Sequence, residues 1–226
     1  MSSIFGAVFG SAAIVLVAIF LLVIVSVGSL MTYVIIVIAN RADPDPSGKR
    51  PIAAYLFAAS FFTLWLSYVG SIIVVEALVS LLRSTSPSSH TVARMVVVGL
   101  LMVLIGGFAH VLHRQRGVAL SDSETDPSSP TKRVMRGYVA AVSFVSVLIV
   151  LVSTMILGYM VFQLAAPGIF GASGSRLDTL TSILDLAYIV GAATFIFLSH
   201  QALAPAALRL VARSSTRSVP IGDIEQ

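Results

Sequence analysis

The chain has no cysteine and, in 226 residues, only ten acidic side chains. Without cysteine there is no disulfide, no thiolate metal site and no cysteine nucleophile. Charge of either sign is scarce. Asp, Glu, Lys and Arg make up 11% of the residues, about half of what a water-soluble domain carries. What remains is apolar: 57% hydrophobic residues and a mean hydropathy of +0.99. Such a composition cannot clothe a surface in water and implies a polytopic membrane protein. The formal charge of +4 and the pI of about 9.8 come without any basic run interleaved with aromatics. Nucleic acid is therefore not an expected partner, and the basic side chains are expected to hold the topology instead. No positive charge precedes the first apolar run, which outlasts a signal-peptide core, so no cleavable signal is expected.

Five apolar stretches stand out, roughly 5–39, 51–82, 92–112, 134–166 and 179–203. A span needs about 20 residues at 1.5 Å each. The first, second and fourth exceed that and are expected to tilt or project from the bilayer. "SVGS" at Ser26–Ser29 is a candidate break in the first, although glycine is common in intact membrane helices. Arg41, Lys49 and Arg50 flank the first inner loop. Arg114, Arg116, Lys132, Arg133 and Arg136 flank the second, and Arg209, Arg213 and Arg217 lie in the tail. These are eleven of the fourteen Lys and Arg residues, with Arg83, Arg94 and Arg176 on the other side. The excess places the N-terminus outside and the C-terminus in the cytoplasm.

One stretch occurs twice. "KRPIAAYLFAASF" at 49–61 returns 83 residues later as "KRVMRGYVAAVSF" at 132–144. Lys49/Lys132, Arg50/Arg133, Tyr55/Tyr138, Ala58/Ala141, Ser60/Ser143 and Phe61/Phe144 match without a gap. The returning helices end alike, with Phe108 five residues before His113 and Phe195 five before His200. Both copies start inside, so the repeat is parallel, related by an axis near the membrane normal. The expected fold is an all-α membrane protein of five transmembrane helices. One N-terminal span precedes two tandem parallel helical hairpins, which form a pseudo-symmetric four-helix bundle. The divisions are 1–40, the N-terminal helix; 41–116, the first hairpin; 117–131, a flexible acidic cytoplasmic linker; 132–204, the second hairpin; and 205–226, a basic cytoplasmic tail. The tandem Lys-Arg…Tyr…Phe-x4-His pattern resembles an uncharacterised family of bacterial integral-membrane domains, over residues 49 to about 203. Many of its members carry a Trp beside the terminal His, which is absent here. The resemblance implies the fold and no activity.

Ionisable groups inside a bilayer are expensive, so they are the first candidates for function. Glu76 and Asp185 both fall in the outer half of their spans and can approach each other as a proton or cation site. Against this, each can sit near water or bond a neighbour, and the polar lining thins out to Ser71, Tyr68, Ser182 and Tyr188. His110 and His113 share a helix face, with Gly106 and Gly107 a turn below. His113 and His200, as repeat mates at one depth, are candidate axial ligands of a b-type haem. Interfacial histidines at helix C-termini are the commoner arrangement. A three-histidine metal site would lack any carboxylate at that depth. "GASG" at Gly171–Gly174 resembles a serine-protease turn, but His200 lies 27 residues beyond Ser173, roughly 40 Å along a helix. Only His90 is left as a base, and a plain turn is the simpler reading.

Interface roles are expected for Lys49, Arg50, Tyr55, Lys132, Arg133 and Tyr138, and for Arg209 and Arg213 on a short helix of the tail. Helix packing is expected at Gly6, Gly10, Gly106, Gly107 and Gly191. Ser121 and Ser123 in the acidic loop have the spacing of phosphorylation sites, although a solvated linker needs no such role. The function these features point to is a non-enzymatic structural or accessory subunit of the plasma membrane. Its partners would be lipids and other integral-membrane subunits or further copies of itself, and no cofactor is required. The alternatives are a small proton- or cation-coupled transporter or channel using Glu76 and Asp185, and a b-type haem subunit using His113 and His200.

Overall fold

The computed structural model describes Asp45 and residues 47–83, 88–126, 128–170 and 175–203. The N-terminal span with Gly6 and Gly10, the "GASG" turn, and the tail with Arg209 and Arg213 lie outside these residues. All regular secondary structure described is helical. Helix α1 runs Lys49–Val79 and closes with a 3-10 turn at Ser80–Leu82. Helix α2 runs Ser89–Asp122, α3 Pro130–Ala165 and α4 Arg176–Gln201, with a single turn Pro167–Phe170 between the last two. All four are long and apolar enough to cross a membrane. Their 31, 34, 36 and 26 residues correspond to roughly 39–54 Å, against a hydrocarbon core of about 30 Å. Each helix is therefore long enough to cross with tilt or to project from the bilayer.

The starts are chemically marked. Gly48 takes φ +65°, a left-handed turn residue before α1, and Asp45 Oδ2 accepts the Arg50 amide at 2.7 Å. Pro130 opens α3 at the position where a missing N–H costs nothing. Ser175 and Asp178 form a reciprocal capping box at α4. One expectation is overturned at the far end of α2. The helix continues through Arg114 and Arg116 to Asp122, so the linker expected over 117–131 contracts to the stretch between Asp122 and Pro130. Ser121 is fully buried there, whereas Ser123 stays exposed.

Helix α1 packs most extensively on α2, and α3 on α4. The first pair approaches to backbone contact. A Cβ added to Gly70 would lie 2.8 Å from the Gly99 carbonyl, and one on Gly99 would lie 2.8 Å from that of Gly70. Gly106 meets the Ser67 amide at 2.8 Å in the same way, the close approach that small residues permit. Gly107 has only the Ser67 hydroxyl near it, at 3.5 Å. Gly191, expected at a helix contact, is exposed, with no atom within 4 Å of an added Cβ; the fully buried small residue of that stretch is Ala193.

The two hairpins meet along a core of Ala53, Phe57, Leu64 and Tyr68 from α1, with Tyr138 and Val142 from α3. Ala193 and Ile196 of α4 join it. Outside, the bundle is covered by bare apolar side chains such as Leu104, Ile105, Met155 and Leu198, the pattern of a surface that faces lipid or protein rather than water. Phe108 and its repeat mate Phe195 are both turned outward, at 74% and 72% exposure.

Candidate functional site

Two polar clusters are embedded where the hairpins meet. The first takes one residue from each helix. His110 Nδ1 of α2 lies 3.0 Å from Ser60 Oγ of α1. Ser60 Oγ lies 3.1 Å from the Tyr138 hydroxyl of α3. That hydroxyl lies 3.0 Å from His200 Nε2 of α4. All four side chains are buried.

The direction of the chain follows from its ends. His200 Nδ1 lies 2.9 Å from the Ile196 carbonyl and His110 Nδ1 lies 3.0 Å from the Ser60 carbonyl. A carbonyl only accepts, so both imidazoles carry their proton on Nδ1. Neutral His200 then accepts at Nε2 from the Tyr138 hydroxyl, whose oxygen accepts from Ser60. Ser60 in turn accepts a share of the His110 N–H. Every donor in the series has an acceptor, and the bonds run one way, so each polarises the next. The last N–H is directed at the carbonyl of Ile196, and the Ser199 hydroxyl, 3.2 Å from His200 Nδ1, donates to that same carbonyl at 2.9 Å.

The second cluster sits at the other end of α1. Arg83 Nη1 donates to Glu76 Oε1 at 2.7 Å, and its Nη2 donates to Glu76 Oε2 at 3.0 Å and Asp185 Oδ2 at 2.9 Å. One guanidinium thus bridges a carboxylate of the first hairpin to one of the second. The hydrogen bonds that Arg83 donates to Glu76 are the main cause that lifts its pKa above an already high ordinary value, so the group stays cationic. Asp185 is the most buried of the three side chains, at 15% exposure, and its Oδ1 has no partner among the described residues. Close by, the Tyr68 hydroxyl donates to the Ile189 carbonyl at 3.1 Å, a second tie between α1 and α4.

The sequence singled out Glu76 and Asp185, and the structure brings both onto Arg83. Arg83 itself had been counted only as a loop charge. The signal for it was its spacing, since seven residues are two helical turns and put Arg83 on the Glu76 face. Among the histidines, the two that approach are His110 and His200, with ring centroids 5.9 Å apart. His113 lies elsewhere, edge-on to Tyr55 at 5.8 Å and bonded to its own Ala109 carbonyl at 2.7 Å. Among the described residues no three His, Asp or Glu side chains gather to hold a metal ion. The space beside Gly106, open in sequence to a macrocycle, is filled by the α1 backbone.

The interface set divides. Lys49 pairs with Glu124 at 2.6 Å, joining the start of α1 to the end of α2. Arg133 Nε donates to the Ser128 carbonyl at 2.9 Å, and Lys132 is half-buried. Tyr55 is exposed. Arg50 and Tyr138, expected at the lipid interface, are buried at 5% and 6% exposure. The reason is that the second hairpin seats its start against the first. Comparison of the chain with known protein families, curated proteins and solved structures finds no match. The resemblance of the repeat pattern to a bacterial membrane-domain family gains no support from these comparisons, and the functional reading rests on the geometry.

Proposed function

We propose that this protein is a non-enzymatic integral-membrane subunit of the plasma membrane, a scaffold that packs against other membrane proteins or further copies of itself. In this reading it has five spans, with the N-terminus outside and the C-terminus in the cytoplasm. The observation that carries the reading is the closure of its polar interior. A cation path needs acidic groups left open to the passing ion. Here Glu76 and Asp185 are both already bonded to one guanidinium, which takes both oxygens of Glu76 and Oδ2 of Asp185. A proton path needs an exit, and the His110–Ser60–Tyr138–His200 chain closes on the Ile196 carbonyl, to which the neighbouring Ser199 hydroxyl also donates. Both clusters join helices, and each spans the two hairpins. A haem between the histidines would have to displace the hydrogen bonds that Ser60 and Tyr138 make to them.

The test is flux. Proteoliposomes containing the pure protein should pass neither protons nor monovalent cations beyond protein-free vesicles. A flux that disappears in Glu76→Gln or Asp185→Asn would replace this reading with transport. Extraction in mild detergent should bring the protein out within a larger membrane assembly, without a Soret band.

A further inference from the structure

The two hairpins carry the same repeat but meet through opposite faces of it. Helix α1 turns Ala53, Phe57, Leu64 and Tyr68 toward the second hairpin. Their mates 83 residues on are Arg136, Ala140, Val147 and Leu151, and all four are exposed. Helix α3 answers with Met135, Tyr138, Val139 and Val142. Their mates are Ile52, Tyr55, Leu56 and Ala59, of which Leu56 is buried and Ile52 and Tyr55 are more than half exposed. Phe57 touches Tyr138, with ring centroids 5.1 Å apart. The mate of Tyr138 is Tyr55, two residues from Phe57 and roughly 160° around the helix. A two-fold axis would make each hairpin use the same face, so the hairpins are instead joined head to tail.

The mates keep their local geometry all the same. Tyr55 meets His113 edge-on at 5.8 Å, as Tyr138 meets His200 at 5.7 Å. Each of these histidines bonds the carbonyl four residues back, at 2.7 Å and 2.9 Å. The Tyr–His face is thus built twice. It is covered by α1 in the second hairpin and uncovered, among the described residues, in the first. The face that does the covering is also built twice, and its second copy, on α3, is uncovered among the described residues. That bare face holds a groove of about 520 Å³, lined by Val147, Leu151, Met155 and Phe197.

We propose that a second copy of this chain occupies these surfaces. The bare α3 face of one copy, at Ala140, Val147 and Leu151, receives the open α1 face of the next, at Ile52, Tyr55 and Phe62. The contact repeats between chains the seat that α1 and α3 make within one. Matched residues lie at matched depth, because both hairpins begin at the same membrane face. Head-to-tail contacts use two different patches, so copies add in a row or close into a ring. This inference rests on the reading of the protein as an assembling membrane subunit.

The absence of cysteine makes the test clean. Tyr55→Cys and Ala140→Cys are made singly and together, and oxidised in the membranes where the protein is expressed, before any detergent is added. The double variant should give a ladder of dimers and higher species. The two single variants expressed together should give a dimer and stop there, and each alone should stay monomeric. Labelling with a small maleimide before oxidation confirms that both thiols are accessible in folded protein.

A monomeric double variant with reactive thiols would overturn the proposal. So would a Tyr55→Cys dimer formed by that single variant, which would make the contact two-fold. So would capture of the Tyr55→Cys thiol within one chain by Val34→Cys, a position of the first apolar stretch at the same expected depth, which would make residues 5–39 the occupant. Co-purification with a different membrane protein alongside a monomeric double variant would leave the subunit reading standing and sink this one. Flux abolished by Glu76→Gln would sink the subunit reading whatever the ladder shows.

Discussion

Tyr138 is the residue on which the buried chain turns, since its hydroxyl both accepts from Ser60 and donates to His200. Tyr138→Phe keeps the ring against Phe57 but strands a donor and an acceptor in an apolar interior. The expected cost is about 1–3 kcal/mol, read as a lowered unfolding midpoint in detergent micelles. Tyr55→Phe, its exposed mate, should leave that midpoint unchanged. The glycines give a second contrast. Gly106→Ala would press a methyl into the Ser67 backbone and should cost about 1–3 kcal/mol. Gly191→Ala meets nothing and should be neutral or stabilise by up to about 1 kcal/mol, because alanine is the better helix former. Sequence treats Gly106 and Gly191 alike, whereas Gly106 lies against the Ser67 backbone and Gly191 against nothing described. Small size marks where helices can approach, and only the rotation of the helix decides whether they do. The same limit hid the partner of His200. Repeat matching pointed to His113, yet mates on hairpins joined by opposite faces are kept apart.

At the scale of elements, hydropathy located all four described helices because lipid demands long apolar runs. It ended α2 too early, at about 112. Beyond the bilayer a helix needs no apolar surface, so Arg114 and Arg116 read as loop although the backbone runs on to Asp122. The helix starts carry a pH dependence. Partial burial pushes the Asp45 pKa up, but the bonds from Ser47 and the Arg50 amide outweigh it and hold the value below 3.8. Asp126, before α3, is held below 3.8 mainly by the Ser128 amide and hydroxyl. A folded value below the unfolded one gives a contribution fully present above pH 3.8 and lost as pH falls through the lower folded value. Protection of the Arg50 amide against hydrogen exchange should therefore hold down to about pH 4 and decline in stronger acid. Asp45→Asn should flatten that decline; an unaltered profile would show that Asp45 does not cap α1.

At the scale of the whole molecule, the hairpins are held by one guanidinium and one hydrogen-bonded chain as well as by the core. Arg83→Met should destabilise by about 3 kcal/mol, because it leaves two carboxylates unpaired at a partly buried interface. The triple variant Glu76→Gln, Arg83→Met, Asp185→Asn should recover most of that loss, since neutral groups carry little desolvation penalty. If the triple variant is no more stable than Arg83→Met, the cluster is not a clamp. The most direct measurement of the central claim, that this protein is built to assemble, is the protein mass of the particle extracted in mild detergent, by light scattering corrected for bound detergent. The account predicts a particle well above the 23.8 kDa of one chain, stable on dilution. A uniform particle of 23.8 kDa at every concentration would contradict it.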